Sequence, residues 1–166
     1  MNQEEQLITV FYSCFQRLDW RGMLDCYRED VFFYDPVFEN LDGAQVRAMW
    51  EMLLSRAKDL ELHFSDIVTE TGYGSCQWVA TYTFTATGRK VLNRGKARFT
   101  FREGKIAEHQ DAFSLWKWSR QALGLPGLFF GWTSLLQKKI RRNARRSLVK
   151  FMAGKAKDAP LPGLRE

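Results

Sequence analysis

Two places in the chain carry residues whose types and spacing suit proton chemistry. Asp35 stands inside Val31-Phe32-Phe33-Tyr34-Asp35-Pro36-Val37-Phe38, among Phe32, Phe33, Tyr34 and Phe38. A carboxyl held among aromatic rings is penalised in its charged form, so its pKa rises toward neutrality and it becomes fit to move protons. Asp35 also suits the first position of a turn before Pro36, where a short acceptor side chain stays solvated. Both readings of Asp35 remain open on this stretch. The second place is His109-Gln110-Asp111. In an extended segment alternate residues share a face, so His109, Asp111 and Phe113 point one way and Glu108, Gln110 and Ala112 the other. With Phe113 facing a pocket, the imidazole and the carboxylate enter together, and the acid orients the ring and raises its basicity. The alternative is a histidine that faces solvent or is satisfied in the core. His63 alternates against Leu62 and Phe64 and has the weaker claim.

These side chains need a scaffold, and the hydrophobic periods describe one. Leu7, Ile8, Phe11, Cys14, Phe15 and Leu18 recur at helical spacing and predict a first helix over about residues 4–18. Asp19 fits the N-cap of a short second helix ending near Tyr27. A third helix is expected from Asp42-Gly43, with Val46, Met49, Trp50, Leu53 and Ala57 on one face. The period then changes to two: Leu60, Leu62 and Phe64; Trp78, Ala80, Tyr82, Phe84 and Ala86; Val91, Asn93, Gly95, Ala97, Phe99 and Phe101. Glycine-containing breaks at residues 71–74, 88–90 and 102–105 separate the strands, and a last strand is expected from Ile106 to Leu115. Helices followed by an antiparallel meander give an α+β class, a curved sheet with three N-terminal helices against it.

Composition bounds the rest. A chain of 166 residues makes one main domain, and 13 Phe, 6 Trp and 5 Tyr are enough rings to line a cavity as well as fill a core. Three cysteines, Cys14, Cys26 and Cys76, are odd in number and lack ligand spacing, so neither a disulfide framework nor a metal site is indicated and reducing cytosol is the expected setting. The polar, acidic start is unlike a signal peptide, and no apolar run is long enough to span a bilayer. A dinucleotide fingerprint, a P-loop, a paired-histidine metal helix and a nucleophile elbow are all missing, so no cofactor is expected.

Over about residues 4–116 the chain resembles the nuclear transport factor 2-like superfamily, which includes ketosteroid isomerase, limonene epoxide hydrolase, scytalone dehydratase and polyketide cyclases of the SnoaL type. The resemblance rests on Leu24-Asp25-Cys26-Tyr27, on Tyr34-Asp35-Pro36-Val37, on the helix opening at Asp42-Gly43, and on the closing run from Phe99 to Asp111. It implies a cone whose helices close the open end of a bent sheet over an apolar pocket. It further implies that Asp35 stands where ketosteroid isomerase keeps its general base and that Tyr27 matches a pocket tyrosine. The isomerase's oxyanion donors fall on Phe11, with Tyr12 one place off, and on Ala97, so its steroid chemistry does not carry over. Nor is the epoxide hydrolases' Asp-Arg-Asp set evident, because Arg98 has outward parity. The polyketide cyclase branch, with acid/base groups on its late strands, is the nearer likeness. Asp35, His109 and Asp111 are then the expected catalytic residues. Tyr12, Phe15, Tyr27, Trp50, Phe64, Trp78, Tyr82, Phe99 and Phe113 are expected to line a pocket for a small apolar or polyketide-like molecule, in a cytoplasmic homodimer.

Residues 119–152 are read as a helical extension beyond the domain at 1–118, and residues 153–166 as a disordered tail. Trp132, Leu136, Ile140, Ala144, Leu148 and Phe151 form an apolar stripe, while Lys138, Lys139, Arg141, Arg142, Arg145, Arg146 and Lys150 lie mostly around the rest of the helix. Such a helix packs its stripe on the domain or on a second subunit, or lies on an anionic membrane surface through residues 128–152. Aromatic residues do not interleave with the cations, which argues against nucleic acid. A protein of a different class, a non-catalytic binding or scaffold domain directed by this helix to a membrane or partner, is the second expectation.

Overall fold

A computed structural model describes residues 1–158. Its elements run α1 (Gln3–Gln16), α2 (Trp20–Asp25), β1 (Tyr27–Asp35), β2 (Glu39–Leu41), α3 (Gly43–Arg56), β3 (Glu61–Glu70), β4 (Tyr73–Phe84), β5 (Arg89–Arg102), β6 (Lys105–Phe113), α4 (Leu115–Leu123), α5 (Leu125–Phe130) and α6 (Ser134–Asp158). Side-chain caps start the expected helices where the sequence places them. Asn2, Asp19 and Asp42 each accept a backbone N–H three residues on, and at α3 the Gln45 side chain returns the bond to Asp42 in a full capping box.

The strands form one six-stranded sheet in the order β2-β1-β6-β5-β4-β3. The meander from β3 to β6 is antiparallel as expected, but β1 joins β6 in parallel, which makes the sheet mixed. Two-residue turns at Thr71-Gly72 and Glu103-Gly104 close the tight hairpins, with positive φ at Gly72, Glu103 and Gly104. A register shift between Ser65 and Val68, with Asp66 at φ 53, bends β3 so that the sheet curls around the helices. β4 ends at Phe84, two residues before the expected Ala86, because Thr87 and Gly88 turn back onto the Phe84 carbonyl.

Inside the curl, α1 packs on β3 and α3 on β1. Ile8, Phe11, Met23, Val31, Phe33, Leu41, Val46, Met49, Ala97 and Phe99 are buried in the main core. On α3 the buried set is Val46, Met49, Trp50, Met52 and Leu54, whereas Leu53 is exposed, contrary to its predicted place. The three thiols are free and buried, and burial pushes Cys26 to about 11 and Cys76 to about 12. Neither of those two offers a thiolate nucleophile at neutral pH.

The extension folds back onto the domain. Leu148 enters the main core, with Ala144, Phe151 and Met152 packed against it, while Ile140 and Leu136 join Val91, Leu115, Trp118 and Ala122 in a second core beneath α4. Most of the predicted stripe is thus spent on the domain itself. Trp132 is the exception and lies 69% exposed. Polar ties run the same way: Arg141 Nε donates to the Pro36 carbonyl at 3.0 Å, Arg145 Nη2 to the Asn40 carbonyl at 2.9 Å, and Lys155 pairs with Glu51. The helix continues to Asp158 rather than giving way to a tail at residue 153; residues 159–166 lie outside the described part.

Candidate functional site

The site begins with the pairing that sets the interior face of the late strands. Phe99 and Phe33 both stand opposite His109, Ala97 opposite Asp111, and Gly95 opposite Phe113. Strand alternation then sends His109 and Asp111 inward, as their parity predicts, and both are buried. Arg98 lies on the outward face, where it lines a groove with Lys96, Glu108 and Gln110. His63 is exposed.

His109, 1% exposed, is enclosed by rings. Its ring centroid lies 4.5 Å from Phe99, 5.1 Å from Phe33 and 5.4 Å from Phe11, and Trp50 stacks on it at 6.5 Å. Its Nδ1 is 2.6 Å from the Tyr27 hydroxyl, which accepts the Trp50 indole N–H at 3.1 Å. With its hydrogen pointing to Nδ1, the Tyr27 hydroxyl uses its donor as well as one acceptor lone pair, and on that assignment His109 carries its ring proton on Nε2. Nε2 stands 3.3 Å from Asp111 Oδ1 but off the line of a hydrogen bond, so it has no hydrogen-bond partner among the described residues. Asp111 Oδ1 in turn accepts the Trp78 indole N–H at 2.8 Å. A polar chain therefore crosses the aromatic interior, from Trp50 through Tyr27 and His109 to Asp111 and Trp78.

Gly95 makes the last link possible. A Cβ there would sit 2.3 Å from Trp78 Cζ2, so only glycine lets the indole lie across β5 and reach Asp111. Gly95→Ala is expected to displace Trp78, to cost about 1–3 kcal/mol of stability and to remove the indole N–H from Asp111. Urea unfolding with near-ultraviolet circular dichroism checks both effects.

At the end of β1, Asp35 Oδ1 accepts two turn N–H groups, from Val37 at 2.8 Å and Phe38 at 2.6 Å. Asp35 therefore takes the turn N–H groups, as the turn reading expects, but it does so desolvated rather than solvated. Burial pushes its carboxyl up to about 6, the charge of Asp111 adds to the rise, and the two N–H bonds and His109 oppose it. Tyr82 lies close by. Burial raises its pKa, the charge of Asp35 adds to the rise, and its oxygen accepts the Trp118 indole N–H at 2.8 Å. Its own hydrogen remains available.

The nine predicted lining residues fall into one aromatic interior, but their surroundings differ. Tyr12 is buried against Phe64, Phe15 and Phe11 with its hydroxyl facing Cys76, and Tyr27 is committed to His109, so these two hydroxyls serve the protein itself. Phe15 sits edge-on to Trp50, and Phe99 lies against His109. Tyr82, Phe113 and Val37 are partly buried and bridge the two cores, next to Asp35 and beneath α4 and α6. That bridge is the more open end of the site. Sequence reading places Asn93 and Gly95 on the alternating face of β5 but gives neither a part in the site, and it does not single out the Trp118 indole; Asn93 is a buried polar side chain there. A glycine inside a strand pattern was the one signal available for Gly95. The two cavities described lie elsewhere, about 410 Å³ on the outward face of β4, β5 and β6 and about 120 Å³ between α1 and the β5–β6 turn.

Comparison with known proteins fits this geometry. In fold the chain is similar to an NTF2-like protein of unknown function from Burkholderia pseudomallei, with 17% identity, a TM-score of 0.65, and coverage of 74% of this chain and 98% of that one. It is also similar to a protein with a ketosteroid isomerase-like fold from Catenulispora acidiphila in complex with trimethylamine, with 12% identity, a TM-score of 0.64, and coverage of 74% and 95%. A third is TerC co-crystallised with polyporic acid, with 17% identity, a TM-score of 0.59, and coverage of 68% and 92%. No curated protein matches. The SnoaL-like domain model matches residues 8–109, more than half of the chain, and the protein belongs to that family.

Proposed function

We propose that the protein takes a small apolar or polyketide-like molecule at the end of the interior marked by Asp35, Tyr82 and Phe113, and catalyses cofactor-independent proton transfer on it. The observation that supports this best is the state of Asp35. One of its oxygens accepts both turn N–H groups, the other has no hydrogen-bond partner among the described residues, and a carboxyl near 6 is mostly ionised at neutral pH yet basic enough to take a proton.

In the proposed step, Asp35 accepts a proton from a carbon next to a carbonyl. The C–H electron pair moves onto the carbonyl oxygen, and the Tyr82 hydroxyl donates a hydrogen bond to the charge that develops there. Return of the proton to another carbon is an isomerisation, its delivery to a departing hydroxyl a dehydration, and attack of the carbanion on a second carbonyl a cyclisation. Asp111 and His109 complete the acid/base set, held in place by Trp78 and Tyr27. Trimethylamine and polyporic acid in the relatives' structures support the small-molecule part of the reading.

The test is to identify a ligand retained on purification by native mass spectrometry, and then to follow solvent deuterium exchange into it. Asp35→Asn is expected to keep the ligand bound and to lower exchange by at least about 100-fold. Exchange that persists in Asp35→Asn would leave a binding domain without turnover.

A further inference from the structure

The last three helices contain a feature the proposed site does not use. α5 packs on α4 through its small residues: a Cβ on Gly127 would sit 1.9 Å from the Ser119 carbonyl oxygen, and one on Gly131 would sit 2.1 Å from Ser119 Oγ. Close glycine packing fixes the orientation of α5 and turns its large apolar side chains outward. Leu125 is 69% exposed, Phe129 62%, Phe130 60%, Trp132 69% and Leu135 80%, with Leu128 beside them. Soluble helices ordinarily bury such residues and expose the small ones. Contiguous exposed aromatic and aliphatic side chains on a well-packed element mark a surface that something covers.

Charge identifies the occupant. From residue 112 to residue 157 the chain has no Asp or Glu, while it carries Lys117, Arg120, Lys138, Lys139, Arg141, Arg142, Arg145, Arg146, Lys150, Lys155 and Lys157. On α6, helical spacing carries the exposed face from Leu135 through Lys138, Lys139, Arg142 and Arg146 to Val149, all of them exposed. Among the described residues the ion pairs of α6 are those of Arg141 with Glu39 and Lys155 with Glu51, so these four cations have no carboxylate of their own. Arg120 stacks on Trp116 at 5.3 Å, and the Trp116 indole reaches the Leu128 carbonyl, which places a further cation at the rim. A second copy of the same surface would bring two acid-free basic faces together. An anionic lipid surface instead matches both parts, with Phe, Leu and Trp at the level of the headgroups and the cations against phosphate.

We infer that α5, with Trp132 and Leu135, is a membrane-docking knuckle that seats the protein on an anionic bilayer, the basic face of α6 lying along the headgroups. This differs from docking through the stripe of α6, because that stripe is buried on the domain. The inference is independent of the proposed chemistry and stands or falls apart from it.

The experiment is co-sedimentation of the full chain with sucrose-loaded vesicles of phosphatidylcholine alone, or with about one-third phosphatidylglycerol. Binding to the anionic vesicles is expected, at least about tenfold weaker on phosphatidylcholine alone or at about 0.5 M salt. The combined variant Phe129→Ser, Phe130→Ser, Trp132→Ser is expected to lose at least about tenfold in partitioning. A second variant, Lys138→Gln, Lys139→Gln, Arg142→Gln, alters only exposed side chains that make no ion pair among the described residues and is expected to weaken binding and flatten its salt dependence. Thermal melts of both show whether the fold is kept. Absence of binding by the wild type at low salt would overturn the inference, as would a folded serine variant that binds like the wild type. It would also be overturned if the serine substitutions abolished only self-association in light scattering.

Discussion

Asp35→Asn is expected to be more stable than the wild type at pH 8, by up to about 3 kcal/mol. Burial, reinforced by the charge of Asp111, holds the folded carboxyl at about 6, against 3.8 for an ordinary aspartate. Because the folded value is the higher one, the folded chain retains a proton that the unfolded chain has released across the interval between them. Stability from this residue is therefore fully present at pH below about 4 and is lost as pH rises through about 6. Asparagine never ionises, and its Oδ1 still accepts the Val37 and Phe38 N–H groups that fix the turn. The advantage of the variant should thus grow by about 1–2 kcal/mol between pH 5 and pH 8. Urea unfolding of both proteins at the two pH values measures it. A pH-independent difference, or a variant weaker than wild type at pH 8, would show that Asp35 is solvated and ionised in the ordinary way. A residue whose removal stabilises the fold is retained for some other reason, which is the behaviour expected of a group in an active site.

The second large effect is expected at Tyr27. Tyr27→Phe keeps the ring, which packs edge-on against Phe11 at 5.3 Å, but deletes the hydroxyl that serves both Trp50 Nε1 and His109 Nδ1. Two buried polar atoms lose their partner at once. At about 1–3 kcal/mol for each unsatisfied group, the variant should lose about 2–6 kcal/mol. His109 would also lose the contact that assigns its proton to Nε2, so the ¹⁵N shifts of its two ring nitrogens should converge as the tautomers mix. Urea unfolding at unchanged m-value and long-range ¹H–¹⁵N spectra check the two halves. A loss below about 1 kcal/mol with unchanged ring shifts would mean that the 2.6 Å contact does not hold the imidazole in solution.

Much of this arrangement could be read from local pattern. Period-two alternation places His109 and Asp111 on one face whatever the sheet does around them, and the capping residues Asp19 and Asp42 start their helices from side-chain chemistry alone. Contacts between distant segments could not be read in that way. Tyr27 meets His109 across 82 residues and Trp78 meets Asp111 across 33, and no local period reports which rings face each other. The parallel pairing of β1 with β6 is of the same kind, since no hairpin joins them. Asp35 shows the limit of reading a stretch by itself: turn acceptor and desolvated acid are alternatives in the sequence, yet two turn N–H bonds occupy one oxygen while burial acts on the whole group. In the extension, the stripe of α6 was legible, but the outward turn of α5 was not, because it follows from Gly127 and Gly131 packing on Ser119.

The most direct test of Asp35 as the proton-transfer group is a ¹³C NMR titration of the aspartate side-chain carboxyls in the wild type and in Asp35→Asn and Asp111→Asn. One carboxyl should titrate at about 6 in the wild type, be missing from Asp35→Asn, and move to lower pH in Asp111→Asn, where the neighbouring charge is gone. An Asp35 resonance that titrates below about 4.5 in the wild type, in the ordinary range of exposed aspartates, would contradict the assignment.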